Sequence, residues 1–187
     1  MTENSLSASL LVAMPQLNDP NFRRSVLLLI EHAESGSFGL VLNRPADLSL
    51  SDLFDSLQFQ WRGGDEERAL WGGPVELNSG WMLFGDSLAV SAEDEEVTPV
   101  LTGVNFAGSL EVFREVAQTP PAQLRFFLGY AGWGPGQLEF ELSQGAWLSA
   151  AATSDVIFGV APERMWDHVV RALGIDPATL VSTSGVH

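Results

Sequence analysis

Leu128-Gly-Tyr-Ala-Gly-Trp-Gly-Pro-Gly-Gln-Leu-Glu-Phe-Glu-Leu142 packs four glycines, one proline, Tyr130 and Trp133 into fifteen positions. The residues leading into it, Gln123-Leu-Arg-Phe-Phe-Leu128, are aromatic and apolar and read as a largely buried strand. Glycine permits positive φ and close approach of another backbone, so Gly129, Gly132, Gly134 and Gly136 predict a turn after that strand. Gly132, between Tyr130 and Trp133, is expected to leave no room for a side chain. Pro135 suits the first position of a helix, where its missing N–H has no partner to lose. From Gln137 two patterns compete. Leu138, Phe140 and Leu142 alternate with Glu139 and Glu141, as in a strand; Leu138 and Leu142 are also one helical turn apart, with Gly145 as a C′ stop. The helix is the expectation.

A strand, a glycine turn and a helix start can cradle an anion. The detailed spacing argues against that use here. Gly132-x-Gly134 has no third glycine in the dinucleotide register, no Lys-Ser/Thr pair follows as in a P-loop, and Glu139 would repel a phosphate. The plainer reading is a tight crossover in which the glycines let Tyr130 and Trp133 pack.

Outward toward the N-terminus, Leu10–Met14 predicts a first strand ended by Pro15, and Asp19-Pro20-Asn21 a turn. Ser25–His32 is apolar on both faces and predicts a central strand, joined through Glu34–Ser37 to a third strand over Phe38–Asn43; these three predict an antiparallel meander. Leu48–Leu57 predicts a short helix capped by Ser49, with Asp52 three residues on. Phe59–Arg68 reads as an exposed loop, Trp71-Gly-Gly-Pro74 as a constrained turn, Trp81–Phe84 as a strand, Ala92–Glu96 as a solvated acidic run and Val97–Thr102 as an edge strand. Ser109–Gln118 predicts a helix with Leu110, Phe113, Val116 and Ala117 on one face. On the C-terminal side, Ala146–Ala150 reads as a strand and Asp155–Phe158 as a short strand or turn. Glu163–Leu173 reads as a helix with Met165, Val169 and Leu173 inward, ended by Gly174 and not continued past Asp176-Pro177. No repeat or linker divides the 187 residues, so one domain spanning 1–187 is expected.

Composition narrows the chemistry. There is no cysteine, which excludes disulfides, thiolate metal sites and cysteine nucleophiles. There is no lysine either, which excludes Schiff-base chemistry; all nine basic residues are arginine. A formal net charge of −15 repels nucleic acid and anionic lipid, so neither direct nucleic-acid nor membrane contact is expected. No stretch is long enough to span a bilayer, and Ser9–Met14 is too short for a signal-peptide core, with no basic residue before it. A cytoplasmic location is expected.

The residues with chemical potential are few. Glu31 and His32 sit at a strand end and point to opposite sides. His32-x-Glu34 has the spacing of a zinc deaminase half-motif, but the cysteines such a site needs do not exist here. A metal held by His32 and distant carboxylates competes with a histidine bonded to a loop carbonyl, and the latter is the expectation; no metal and no cofactor are expected. A serine triad has no Gly-x-Ser-x-Gly to build on. Ser25 and His32 lie too far apart along one strand, and His168 reads as a surface residue of the last helix. Asn43, Tyr130, Trp133, Gln137 and Glu139 together fit either a small-molecule pocket or a buried hydrogen-bond network holding irregular loops.

Read as a set, Leu11-Val-Ala-Met-Pro15, Asp19-Pro20 with Phe22, Ser25-Val26, Glu31-His32, Gly39-Leu-Val-Leu-Asn43 with Pro45, Gly72-Gly-Pro-Val75, Gly129-Tyr-Ala-Gly-Trp133 with Gly136-Gln-Leu-Glu139, Trp147-Leu148 and Trp166 with Leu173-Gly174 resemble the AlgH/YqgE family of bacterial proteins. The resemblance implies an α+β fold in which a mixed, bifurcated β-sheet closes into a pseudo-barrel with helices packed outside. It also implies a label, transcriptional regulator, with no accepted reaction or ligand. The family pattern ends Gly-His-small, whereas this chain ends Gly185-Val186-His187. The expected function is a non-catalytic regulatory or interaction protein that binds a partner protein or small ligand. The alternative is a hydrolase or transferase using carboxylates or a metal in a pocket near Glu31-His32 and the Gly129–Glu139 turn.

Overall fold

The computed structural model describes residues 6–17, 19–86 and 96–181. Along them run β1 (Ser9–Ala13), β2 (Val26–Ala33), β3 (Gly36–Val41), β4 (Pro45–Ser49), α1 (Leu50–Ser56), β5 (Arg68–Trp71), β6 (Val75–Phe84), β7 (Val97–Leu101), β8 (Val104–Ala107), α2 (Leu110–Gln118), β9 (Leu124–Trp133), α3 (Gln137–Ser143), β10 (Trp147–Ala151), α4 (Ser154–Gly159), α5 (Pro162–Ala172) and α6 (Pro177–Val181). The strand order is β10-β1-β2-β3-β9-β6-β8-β7, with β4 and β5 branching off at β9. All pairings are antiparallel except β5 with β9. The sheet is therefore mixed and forked, and it curls into a half-barrel.

The fork is made by glycine. β9 runs unbroken from Leu124 to Trp133, so the first part of the expected glycine turn is strand. Its early residues pair with β5 (Leu70↔Phe127, Trp71↔Leu128), and its last three with β3 (Ser37↔Trp133, Phe38↔Gly132, Gly39↔Ala131). Gly129, at φ 76°, kinks the strand between the two halves. There Gly72-Gly73 crosses it. The Gly72 N–H donates to Leu128 O at 2.8 Å, and Gly72 O accepts from the Val41 N–H at 2.8 Å, so the segment is wedged between β3 and β9. A Cβ on Gly73 would lie 2.1 Å from the Tyr130 carbonyl, and one on Gly129 2.3 Å from Gly73 O. The two glycine motifs that look like separate turns are one backbone crossing. Gly132 is exposed, lies outside the positive-φ residues, and a Cβ there meets Tyr130 Cε2 at an ordinary 3.4 Å. The expected lack of room at Gly132 belongs to Gly73 and Gly129.

The true turn is short: Gly134-Pro135-Gly136. Pro135 precedes the helix rather than opening it, and Gly136 at φ 75° is the N-cap of α3. Helix wins over strand at Gln137 because a strand's alternation would leave Leu138, Phe140 and Leu142 facing one way, whereas only Leu138 is fully buried and Phe140 is 55 % exposed. Gly145, at φ 75°, stops it as expected.

Alternation within β1 and β2 divides the core. Leu10, Val12, Val26 and Leu28 face the inside of the half-barrel, where Ile157 of α4 and Met165, Trp166, Val169 and Val170 of α5 pack on them. Leu11, Ala13, Leu27 and Leu29 face outward and are covered by Leu138 of α3 and by Trp133 and Trp147. Burial of each large side chain contributes about 1.5–3 kcal/mol. A third cluster joins α1 and α2 to the outer side of β6 and β9. The α1 cap forms as expected, Ser49 Oγ accepting from the Asp52 N–H at 3.1 Å. Two inner-face expectations fail at helix ends: Leu110 is 56 % exposed and Leu173 36 % exposed, their places taken by Val112 and by Trp166 and Val170. Asp155–Phe158 is helical, with Thr153 as N-cap, and a short helix does follow Pro177. Arg68–Trp71 and Val104–Ala107 are strands that the sequence pattern hides. Residues 92–95 of the acidic run and the Gly185-Val186-His187 terminus lie outside the described residues.

Candidate functional site

A β-bulge places His32. β2 pairs Leu29 with Gly39 but Glu31 with Phe38, so one extra residue sits in β2 at Ile30. The extra residue reverses the facing of everything beyond it. His32 thereby leaves the barrel interior, where Leu28 and Ile30 pack, and turns to the α3 side. Glu31 shares the face of Phe38, away from His32, as alternation predicts. On the α3 side His32 Nδ1 lies 2.6 Å from Ser37 Oγ, its cross-strand neighbour, and Nε2 lies 3.4 Å from Glu139 Oε2. With the ring proton on Nε2 toward the carboxylate, Nδ1 accepts from the Ser37 hydroxyl. His32 is 12 % exposed and Glu139 50 %. Sequence alone did not single out Ser37.

Further along α3, Glu141 is the centre of a second cluster. Its Oε1 accepts from the Trp133 indole at 3.1 Å and the Trp147 indole at 2.9 Å, and its Oε2 from the Gln137 amide at 3.0 Å. Gln137 Oε1 in turn accepts the Gly134 N–H at 2.9 Å, tying the first residue of α3 back to the turn before it. Buried indole N–H groups need such a partner, and Trp133 and Trp147 pack edge to face at 6.1 Å around it. Glu141 and Trp147 were legible as part of an amphipathic α3 and a strand, not as its clamp.

The other expected site residues go elsewhere. Tyr130 lies an odd number of strand positions from Trp133, so it faces the barrel interior, with Phe38 at 4.7 Å and Trp81 at 6.1 Å between ring centroids. Asn43 sits at the far end of β3. Its Oδ1 accepts the Val26 N–H and its Nδ2 donates to Arg24 O, both at 2.9 Å. Among the described residues, no group of three or more His, Asp or Glu could hold a metal ion.

Asn43 and its neighbour lead to a different feature. Arg44 donates to Arg23 O, and burial pulls its guanidinium below the ordinary arginine pKa. Asn43 and Arg44 thus hold the carbonyls of Arg24 and Arg23 from behind, fixing the loop before β2. Arg24 is held at φ 54°, a left-handed conformation that costs a non-glycine residue about 1–2 kcal/mol. In front of the loop lies a cleft of about 370 Å³, lined by Ala13, Met14, Pro15, Leu17, Asp19, Pro20, Arg23, Arg24, Trp166 and Leu180. Trp166 is fixed there by its indole N–H donating to Ala13 O at 3.0 Å, and the Arg24 guanidinium sits 5.1 Å above its ring. Neither Arg23 nor Arg24 makes an ion pair among the described residues. The sequence carried one signal for this place: Arg23-Arg24 is its one pair of adjacent basic residues.

The pattern of the family described as AlgH-like matches residues 10–178. A UPF0301 protein of Myxococcus xanthus is 44% identical over 184 residues, covering 98% of this chain and 99% of its own. One of Ruegeria pomeroyi is 38% identical over 185 residues, covering 97% and 98%. The solution structure of the AlgH protein from Pseudomonas aeruginosa superposes with a TM-score of 0.76 at 32% identity, covering 100% of both chains. A crystal structure of a Corynebacterium diphtheriae protein gives 0.74 at 25% identity, covering 90% and 87%.

Proposed function

The chain belongs to the AlgH-like family, and from that premise we propose that it works by binding rather than by catalysis, as a regulatory protein whose small ligand or partner group enters the cleft at Arg23, Arg24 and Trp166. The observation that carries this reading is the contrast between the two places. Around α3 the polar side chains are spent on one another. At the cleft, Arg24 stands over a pinned tryptophan with Arg23 beside it, both exposed and neither in an ion pair among the described residues, in a chain of net charge −15. Clefts of this size with an apolar lining and a few convergent polar groups are where small ligands bind. Met14, Pro15, Asp19 and Pro20, which carry part of the family resemblance, line it. A cytoplasmic site of action is part of the same proposal; among the described residues no helix is long and apolar enough to cross a membrane. The test is an NMR titration of labelled protein with the small-molecule fraction of a cell extract. Shifts confined to residues 13–24 and 164–170, with the added compounds unconsumed, support binding; steady conversion of a compound shows an enzyme.

A second reading rests on Ser37, His32 and Glu139, which line up as hydroxyl, imidazole and carboxylate. Ser37 sits in mid-sheet, paired with His32 on one side and Trp133 on the other, and not on an exposed elbow. We expect no labelling of Ser37 by a fluorophosphonate; stoichiometric labelling that His32→Ala abolishes would make this chain a serine hydrolase.

A further inference from the structure

Resting on that reading of the cleft, we infer that its ligand is a small organic oxyanion, a carboxylate or a phosphate monoester, with one anionic end and a short apolar group. A guanidinium stacked on an aromatic face keeps its N–H donors in the plane, free to fork onto two oxygens of one oxyanion. The Arg24 guanidinium lies over the Trp166 ring, 5.1 Å from its centroid, and Trp166 is itself tied to Ala13 O. Arg23 adds a second guanidinium from the next residue, and Asn43 and Arg44 set the loop that presents both. Met14, Leu17 and Leu180 offer the apolar end its contacts. Asp19 sets the charge limit. It lines the same cleft, its Oδ1 accepting the Asn21 N–H at 2.9 Å and its carboxylate in no ion pair among the described residues, so a second anionic group would meet repulsion there. The site thus favours one charged end over a polyanion.

The probes are butyrate, butyl phosphate, inorganic phosphate and butylammonium, each titrated into the labelled full chain while the Trp166 indole N–H signal is followed. Butyrate or butyl phosphate should shift that signal saturably, and whichever binds more tightly names the oxyanion. Arg24→Gln should weaken the binding about tenfold or more, with Arg24→Lys intermediate, because a charge-assisted forked contact is lost. Asp19→Asn should tighten inorganic phosphate. Inorganic phosphate binding as tightly as butyl phosphate overturns the apolar selectivity. Butylammonium binding in place of the anions overturns the oxyanion assignment. If no probe binds while the extract fraction still shifts residues 13–24, the ligand class is wrong and the cleft stands; if neither acts there, both readings fall.

Discussion

Gly73 and Gly129 sit where two backbones cross, and no side chain fits either position. Gly129→Ala adds a Cβ at φ 76° that meets Gly73 O at 2.3 Å. Left-handed strain and overpacking together should cost about 2–5 kcal/mol. Gly132→Val, on an exposed strand position with ordinary contacts, should cost less than about 1 kcal/mol. Urea melts of the two variants check this, and equal midpoints would mean the crossing does not hold the fork. Arg24 is the opposite case, a strained side chain kept where glycine would be easier. Arg24→Gly should leave the unfolding free energy from urea melts within about 1 kcal/mol of wild type, strain relief offsetting the lost contact with Trp166. A loss much larger than that would make Arg24 a structural residue rather than a presenting one.

Helix α3 is too short to be stable alone and is held by its side chains. Leu138 buries one side, while Glu141 takes two indole N–H groups and Gln137, and Glu139 meets His32. Glu141→Ala strands two buried donors and should cost about 2–4 kcal/mol, against about 1 kcal/mol for Gln137→Ala, whose amide is exposed. Tryptophan-detected urea melts separate the two. Both ring nitrogens of His32 already face partners, so EDTA should leave the melting temperature unchanged; a drop that His32→Ala abolishes would reveal a metal. At this scale the sequence was legible where periodicity and caps are local. The apolar runs of β1 and β2, the Ser49 cap and the inward Met165 and Val169 of α5 hold, while Leu173 at the end of that stripe does not. It was illegible where the reason is distant. β5 is a strand because Gly72-Gly73 is drawn across Gly129, over fifty residues away, and nothing within Arg68–Trp71 announces that. His32 faces α3 because of a bulge at Ile30 that no side chain in β2 marks.

For the whole molecule, curling the sheet brings the loop before β2 against α5, so Arg24 meets Trp166 from the far end of the chain. That is why the cleft is hidden in the sequence, whereas Glu31, His32 and the glycine-rich stretch stand out there as local patterns. The surrounding charge of −15 should keep duplex DNA away. A gel shift at about 50 mM salt should show no complex, and a sequence-specific shift that survives competitor DNA would overturn that expectation. The most direct measurement is native mass spectrometry of the protein purified from the cells that make it, with Arg24→Gln and Glu139→Gln beside the wild type. Binding at the cleft predicts a small-molecule adduct on wild type and on Glu139→Gln, lost from Arg24→Gln. No adduct on wild type, or one kept by Arg24→Gln and lost from Glu139→Gln, would contradict it.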